Sequence, residues 1–275
     1  ISETFLVGQM ETKEALTKVK ILTISVEILT LVTPTTAEIL EILNQPTMEI
    51  TTPVVILKAT NSGSGLTDTS SSSSGGSCPN GAKVVTSGLT ASEKQLLLDL
   101  HNQYRNTVAK GDAPGQPGAT DMLEMIWDED IAERAQEWAD QCNFSHNDQN
   151  ERATSKFSTV GQNIGILRSP SNTVGDFKKL VNNWYDEVNK YSGPVDSFSG
   201  GDETGHYTQM AWAASYTLGC GYIKYYSGKT YNYFLVCNYA PAGNFIGRKV
   251  YTAGTFNASN CENGMSSTYP FLCKA

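Results

Sequence analysis

From residue 90 onward the apolar positions keep two rhythms, one near 3.6 residues and one near 2. Leu97, Leu100, Tyr104 and Val108 recur at helical spacing, which predicts a helix over 90–110. Thr90 and Glu93 form a capping box at its start, and Gly111 suits its end. A second helix is predicted after Asp128, a good N-cap, with the stripe Ile131, Ala135, Trp138 and Cys142. A third spans about 173–190, with Val174, Phe177, Val181, Trp184 and Val188 on one face. From Gly219 the rhythm changes to 2: Cys220, Tyr222, Lys224 and Tyr226 alternate with Gly221, Ile223 and Tyr225. Ser227-Gly228-Lys229 reads as a turn, and Tyr231 to Tyr239 as a returning strand. Helices first and strands later predict an α+β fold built as a layered sandwich.

Residues 1–77 follow neither rhythm. They hold no cysteine and no histidine, and Phe5 is their one aromatic residue. Ile21–Val32 and Thr36–Leu43 could form marginal strands or a short helix, but without aromatic residues they make a poor core. The run Ser70 to Ser74 followed by Gly75-Gly76 is a flexible linker by composition. The division expected is therefore a largely disordered extension over 1–77 and a folded domain over 78–275. A Thr-rich, O-glycosylated stalk is the alternative for the extension. The sequence starts at Ile1 and shows no clear signal peptide. Ile21–Val32 carries Glu27 in its middle and lacks a small-residue cleavage site.

Composition narrows the function classes. The 275 residues are 39% hydrophobic and 17% charged, enough for a sizeable core. A net charge of −8 opposes bulk nucleic-acid binding and simple electrostatic adsorption to anionic membranes. No stretch approaches the ~20 apolar residues of a membrane span. The six cysteines are Cys78, Cys142, Cys220, Cys237, Cys261 and Cys273. None forms a C-x-x-C pair, so three disulfides in an oxidising compartment is the reading preferred over zinc ligation. Free buried thiols in a cytosolic protein are the alternative, and residue spacing leaves all 15 pairings open. Sequons at Asn143 and Asn257 agree with an extracellular, secreted protein.

Five segments carry a family resemblance. Gly205-His206-Tyr207-Thr208-Gln209-Met210-Ala211-Trp212 resembles the G-H-[YF]-T-Q-[MV]-[VA]-W signature of the CAP superfamily of cysteine-rich secretory proteins, antigen 5 and pathogenesis-related 1 proteins. His101-Asn102-Gln103-Tyr104-Arg105 is similar to its H-N-x-x-R helix. Gly161-Gln162-Asn163 is similar to its G-[EQ]-N turn, and Trp184 to Glu187 to its W-x-x-E helix. Val236 to Asn244 resembles its second signature, [VC]-C-x-Y-x-P-x-G-N. The match covers about 87–250 and looks most like the venom allergen 5 branch, while the tail from Cys261 to Cys273 is similar to those of some nematode venom-allergen-like proteins. The resemblance implies a three-layer α-β-α sandwich. It also implies the pairs Cys78–Cys142, Cys220–Cys237 across the hairpin, and Cys261–Cys273.

The resemblance further implies a cleft with two histidines and two acids. The histidines correspond to His146 and His206 and one acid to Glu187; the other acid falls on Gln162. Two imidazoles could hold Zn²⁺ or another divalent cation weakly, with no cofactor required. With one carboxylate lost, paired-carboxylate acid/base chemistry is disfavoured. The bland alternative makes both histidines hydrogen-bonded scaffold, and His101 is read as a buried core histidine. No G-x-S-x-G elbow is present, and Ser145 beside His146 is a poor nucleophile pair. A non-catalytic role is therefore expected, as a module that binds a small lipid (sterol or fatty acid) or a protein target, with a divalent-metal-dependent hydrolase using His146, His206 and Glu187 as the alternative. Some relatives hold sterol near a loop that is here Tyr191 to Phe198, where Tyr191, Val195 and Phe198 would supply apolar contacts or merely pack the loop. Others hold a fatty acid between helices, here the first and fourth helical segments. A protein target of unknown identity is the remaining partner class, reached by a monomer. Tyr225, Tyr226, Tyr231 and Tyr233 could serve such an interface or be ordinary strand composition.

Overall fold

The computed structural model describes residues 76–173, 175–201 and 203–275. The extension and linker read over 1–77 (apart from Gly76 and Ser77), and Val174 of the third helical stripe, lie outside the described residues. The strands are β1 (Lys83–Ser87), β2 (Ile126–Trp127), β3 (Gly161–Ser169), β4 (Thr217–Tyr226) and β5 (Tyr231–Ala240). The helices are α1 (Ala91–Lys110), α2 (Glu129–Ala139), α3 (Gln149–Arg152), α4 (Phe177–Tyr185) and α5 (Gly205–Met210). Short 3₁₀ turns follow at Asp186–Asn189 and Ala258–Asn260. Among the described residues no helix is long and apolar enough to cross a membrane.

Local chemistry explains the helix limits. The Thr90 hydroxyl accepts from the Glu93 amide while the Glu93 carboxylate accepts from the Thr90 amide, as the capping box requires. Gly111 ends α1 at φ 89°, a left-handed conformation that glycine adopts without strain. Asp128 caps α2 through the Ile131 amide at 3.1 Å. Cys142 lies beyond α2 at φ 54° and does not continue its stripe. The third predicted helix is shorter than its periodicity implies. Asp176 caps α4 through the Lys179 amide, and after Tyr185 the winding tightens into the 3₁₀ turn that carries Glu187.

The sheet order is β1-β4-β5-β3, antiparallel throughout, with β2 adding a short parallel pairing to β4. Strands thus precede, separate and follow the helices, and the expected order of helices first and strands later does not hold. Gly161-Gln162-Asn163, read as a turn, opens strand β3, where Gln162 pairs with Asn238 and Asn163 with Cys237.

The alternation of β4 and β5 assigns the layers. Leu218, Cys220, Tyr222, Tyr233, Leu235, Cys237 and Tyr239 pack with residues of α1, α4 and α5. Ile223, Tyr225, Phe234 and Val236 face the opposite way, with Ala135 and Ala139 of α2. This is the expected three-layer α-β-α sandwich. Gly219 and Gly221 set the spacing of the α2 layer: a Cβ on either would come within 2.3 Å of the α2 backbone. The bridges are Cys78–Cys142, Cys220–Cys237 and Cys261–Cys273, the three pairs the resemblance implied. By loop length they restrict the unfolded chain by about 4, 3 and 3 kcal/mol respectively.

Arg105 of α1 ties the layers together. It is 1% exposed. Its guanidinium donates to the carbonyls of Leu123, Met210, Trp212, Ala213 and Ser215. Burial pushes its pKa down to about 9, still charged at neutral pH. Asn102 adds a two-way clamp, donating to the Met125 carbonyl and accepting from its amide. The histidine-asparagine-arginine helix is therefore scaffold.

Candidate functional site

The site assembles at the start of edge strand β3, where successive residues point to opposite faces of the sheet. Gln162 points to the α2 face. There its Oε1 lies 2.7 Å from Nδ1 of His146, on the loop that follows α2. Gln162 Nε2 donates to Oδ1 of Asn147 and of Asn238, at 2.9 and 3.1 Å. With the amide nitrogen so engaged, Oε1 is the acceptor and His146 Nδ1 carries the proton. Trp138 supports the loop by donating from its indole nitrogen to the Ser145 carbonyl at 2.7 Å.

Asn163 points to the other face and donates to the His206 carbonyl and to the Tyr239 hydroxyl, both at 3.1 Å. His206 is the second residue of α5. Its Nδ1 is 2.6 Å from Oε1 of Glu187. A carboxylate accepts only, so Nδ1 again holds the proton. Glu187 Oε2 accepts from the backbone amides of His206 and Tyr207, at 3.0 and 3.1 Å. Both oxygens are thus engaged, and the carboxylate serves as an orienting group for His206. The Trp184 indole stacks near-parallel on His206, with ring centroids 5.9 Å apart.

Both imidazoles consequently present Nε2 with a free lone pair when neutral. His146, at the exposed rim, has its pKa lowered mainly by desolvation, with Arg152 and His206 adding to the depression against the Gln162 hydrogen bond. Arg152 is the last residue of α3, and burial lowers its pKa too. These two Nε2 atoms are the ring nitrogens of the site left without a hydrogen-bond partner among the described residues. Among the described residues no three of His, Cys, Asp and Glu converge on one point. Two imidazole nitrogens are fewer ligands than the three or four protein ligands that strong zinc sites supply.

The other predicted residues lie elsewhere. His101 is fully buried, Nδ1 donating to the Leu97 carbonyl at 2.7 Å and Nε2 accepting from the Tyr239 hydroxyl at 2.8 Å. Burial lowers its pKa to about 4. Tyr191, Val195 and Phe198 are buried as packing of their own loop. Tyr191 lies against Tyr207, Phe198 meets Trp212 edge-on, and Val195 accepts the Val250 amide. Between α1 and α4, Tyr104 stacks on Tyr185 with centroids 3.9 Å apart, and the crevice beside them has no room for water. Asn143 and Asn257 are exposed. Sequence reasoning did not single out Asn147, Asn163, Asn238 or Arg152 for the cleft. Asn163 and Asn238 sit inside the family-like segments and could have been found there, but Asn147 and Arg152 carry no local signal.

The comparisons with known proteins agree on one family. The family model described as the cysteine-rich secretory protein family, CAP, matches residues 98–239. Scoloptoxin SSD976 of Scolopendra dehaani is 42% identical over 197 residues, which span 70% of this chain and 89% of the relative. Venom allergen 5 of Vespula flavopilosa is 43% identical over 179 residues, spanning 62% and 86%. Among solved structures, BmVAL-1 aligns at TM-score 0.59 and 24% identity, over 68% of this chain and 96% of that one. NaASP2, solved with Zn²⁺, aligns at TM-score 0.56 and 30% identity, over 72% and 100%.

Proposed function

Because the chain belongs to the cysteine-rich secretory protein (CAP) family, we propose that it is a secreted, non-catalytic binding module whose cleft takes a divalent cation weakly through His146 and His206. One observation carries the reading: both imidazoles hold their Nδ1 proton in a hydrogen bond, to Gln162 and to Glu187, leaving both Nε2 atoms as donors. Such outer partners fix the tautomer and orientation of histidine ligands. The relative solved with Zn²⁺ lends support. The bound ion would supply a positive centre for a target's carboxylate or carbonyl, while Trp184, Gln162 and Glu187 hold the two rings. Secretion rests on the three disulfides and on the venom relatives.

Catalysis is disfavoured by what the cleft lacks. The free Nε2 atoms could act as general bases. But Glu187 has both oxygens engaged and the position of the second acid is the neutral Gln162, so paired-carboxylate chemistry is missing. All six cysteines are bridged, which removes a thiol nucleophile. Sterol or fatty-acid carriage would require the loop over 191–198, or the Tyr104–Tyr185 stack, to open.

The test is calorimetric titration of Zn²⁺ into the protein and three variants. His146→Ala and His206→Ala are each expected to weaken binding about tenfold or more. Gln162→Glu is expected to tighten it by a similar factor, since a carboxylate partner makes the His146 ring a better donor. Equal affinity in all four proteins would sink the reading.

A further inference from the structure

We propose that the turn Phe245–Lys249 docks this protein on the surface of a lipid bilayer bearing anionic headgroups. The inference is independent of cation binding in the cleft. Large apolar side chains are normally withdrawn from water, yet Phe245 is 43% and the adjacent Ile246 71% exposed. The two sit at the tip of a tight turn closed by the Arg248 amide donating to the Phe245 carbonyl at 3.0 Å. Asn244 before it and Gly247 within it both adopt positive φ, 58° and 75°.

The turn is held from below. The Gly247 amide donates to the Phe198 carbonyl at 2.8 Å, and the Phe198 amide donates to the Arg248 carbonyl at 2.7 Å. Trp212 meets Phe245 at 6.5 Å and Phe198 at 6.0 Å, both edge-on, so an aromatic column runs from the core to the tip. A preformed tip loses little conformational freedom on insertion, which favours binding.

Charge selects the surface. Arg248 and Lys249 follow the apolar pair and are both exposed. Neither forms an ion pair among the described residues, and the Lys249 ammonium donates to the Thr252 hydroxyl. Apolar side chains flanked by unpaired cations are what an anionic lipid interface takes up: the apolar pair enters the acyl boundary and the cations meet the headgroups. The net charge of −8 opposes adsorption through the surface as a whole, so attraction to such a bilayer needs a local group of cations such as this one. Asn244 also donates to the Gly205 carbonyl at 2.8 Å, which sets the tip beside the His206 end of the cleft.

The experiment is co-sedimentation of the full chain with phosphatidylcholine vesicles, with and without phosphatidylserine, at low and high salt. The protein is expected to pellet with the phosphatidylserine vesicles at low salt and to be released by high salt. Ile246→Asp, and separately Arg248→Glu with Lys249→Glu, are each expected to weaken this binding about tenfold. Leu96→Asp, at an exposed apolar residue of α1, should leave it unchanged. All these side chains are exposed, and near-ultraviolet circular dichroism verifies that each variant is folded. No pelleting of the native protein, equal pelleting with both vesicles, or full binding by Ile246→Asp would overturn the proposal. So would self-association abolished by Ile246→Asp in a protein that ignores vesicles, because the tip would then fit a second copy of this chain.

Discussion

His101 and His206 have opposite environments, joined by one hydrogen-bond chain. His101 is neutral and enclosed, and its Tyr239 partner accepts from Asn163, which also holds the His206 carbonyl. The folded pKa of His101 is lowered from 6.5 to about 4, so the unfolded chain binds the extra proton between those values. Its contribution is therefore fully present above pH 6.5 and is lost as the pH falls through about 4. The loss amounts to about 3 kcal/mol. Urea unfolding at a series of pH values should show that decline, and His101→Gln should flatten it over the same window. An unchanged slope in the variant would show that His101 is not its source. His146 shifts the same way by direction, so its Nε2 stays unprotonated to a lower pH than an ordinary imidazole.

At the scale of elements, the closest packing depends on the absence of side chains. Gly221 faces α2, and a Cβ there would lie 2.3 Å from backbone atoms of Gln136, which cannot retreat without moving the helix. Gly221→Ala is expected to cost about 3 kcal/mol by forcing the layers apart. Gly228→Ala at the hairpin tip has open space and is strained only by its φ of 74°, so about 1 kcal/mol is expected. Thermal unfolding of the two variants measures the difference, and equal effects would contradict the packing account. The same physics separates what was legible from what was not. α1 was readable to its ends because its capping box, apolar stripe and terminal glycine agree. The β4–β5 hairpin was readable because its two faces alternate. β3 was hidden because Gly161, Gly165 and its polar residues break any alternation. Its glycines are there to admit Gln209, Leu180 and Trp184. β1 and β2 are too short to declare a period, and their pairing is set by β4.

At the scale of the molecule, the sandwich brings four residues from four separate segments to one edge of the sheet. His146 and His206 are far apart in sequence, and no spacing rule joins them; only the family-like motifs pointed to the cleft. The substitution of an amide for the second acid was visible in the sequence. Its consequence was not, because the partners Asn147 and Asn238 that orient Gln162 become neighbours only after folding. The loop over 191–198 shows the reverse. Its apolar residues suggested either a ligand contact or packing of the loop, and in the structure Tyr191 lies against Tyr207 and Phe198 against Trp212.

The central claim is that His146 and His206 are both poised as Nε2 donors for one cation. Long-range ¹H–¹⁵N NMR of the histidine rings tests it most directly, because it reads the tautomer of each ring and the atom that meets the metal. In their neutral form both rings should show the Nδ1–H tautomer, and Zn²⁺ should shift their Nε2 resonances together while leaving the enclosed His101 untouched. An Nε2–H tautomer at either ring, or a Zn²⁺ titration that moves neither Nε2, would contradict the account.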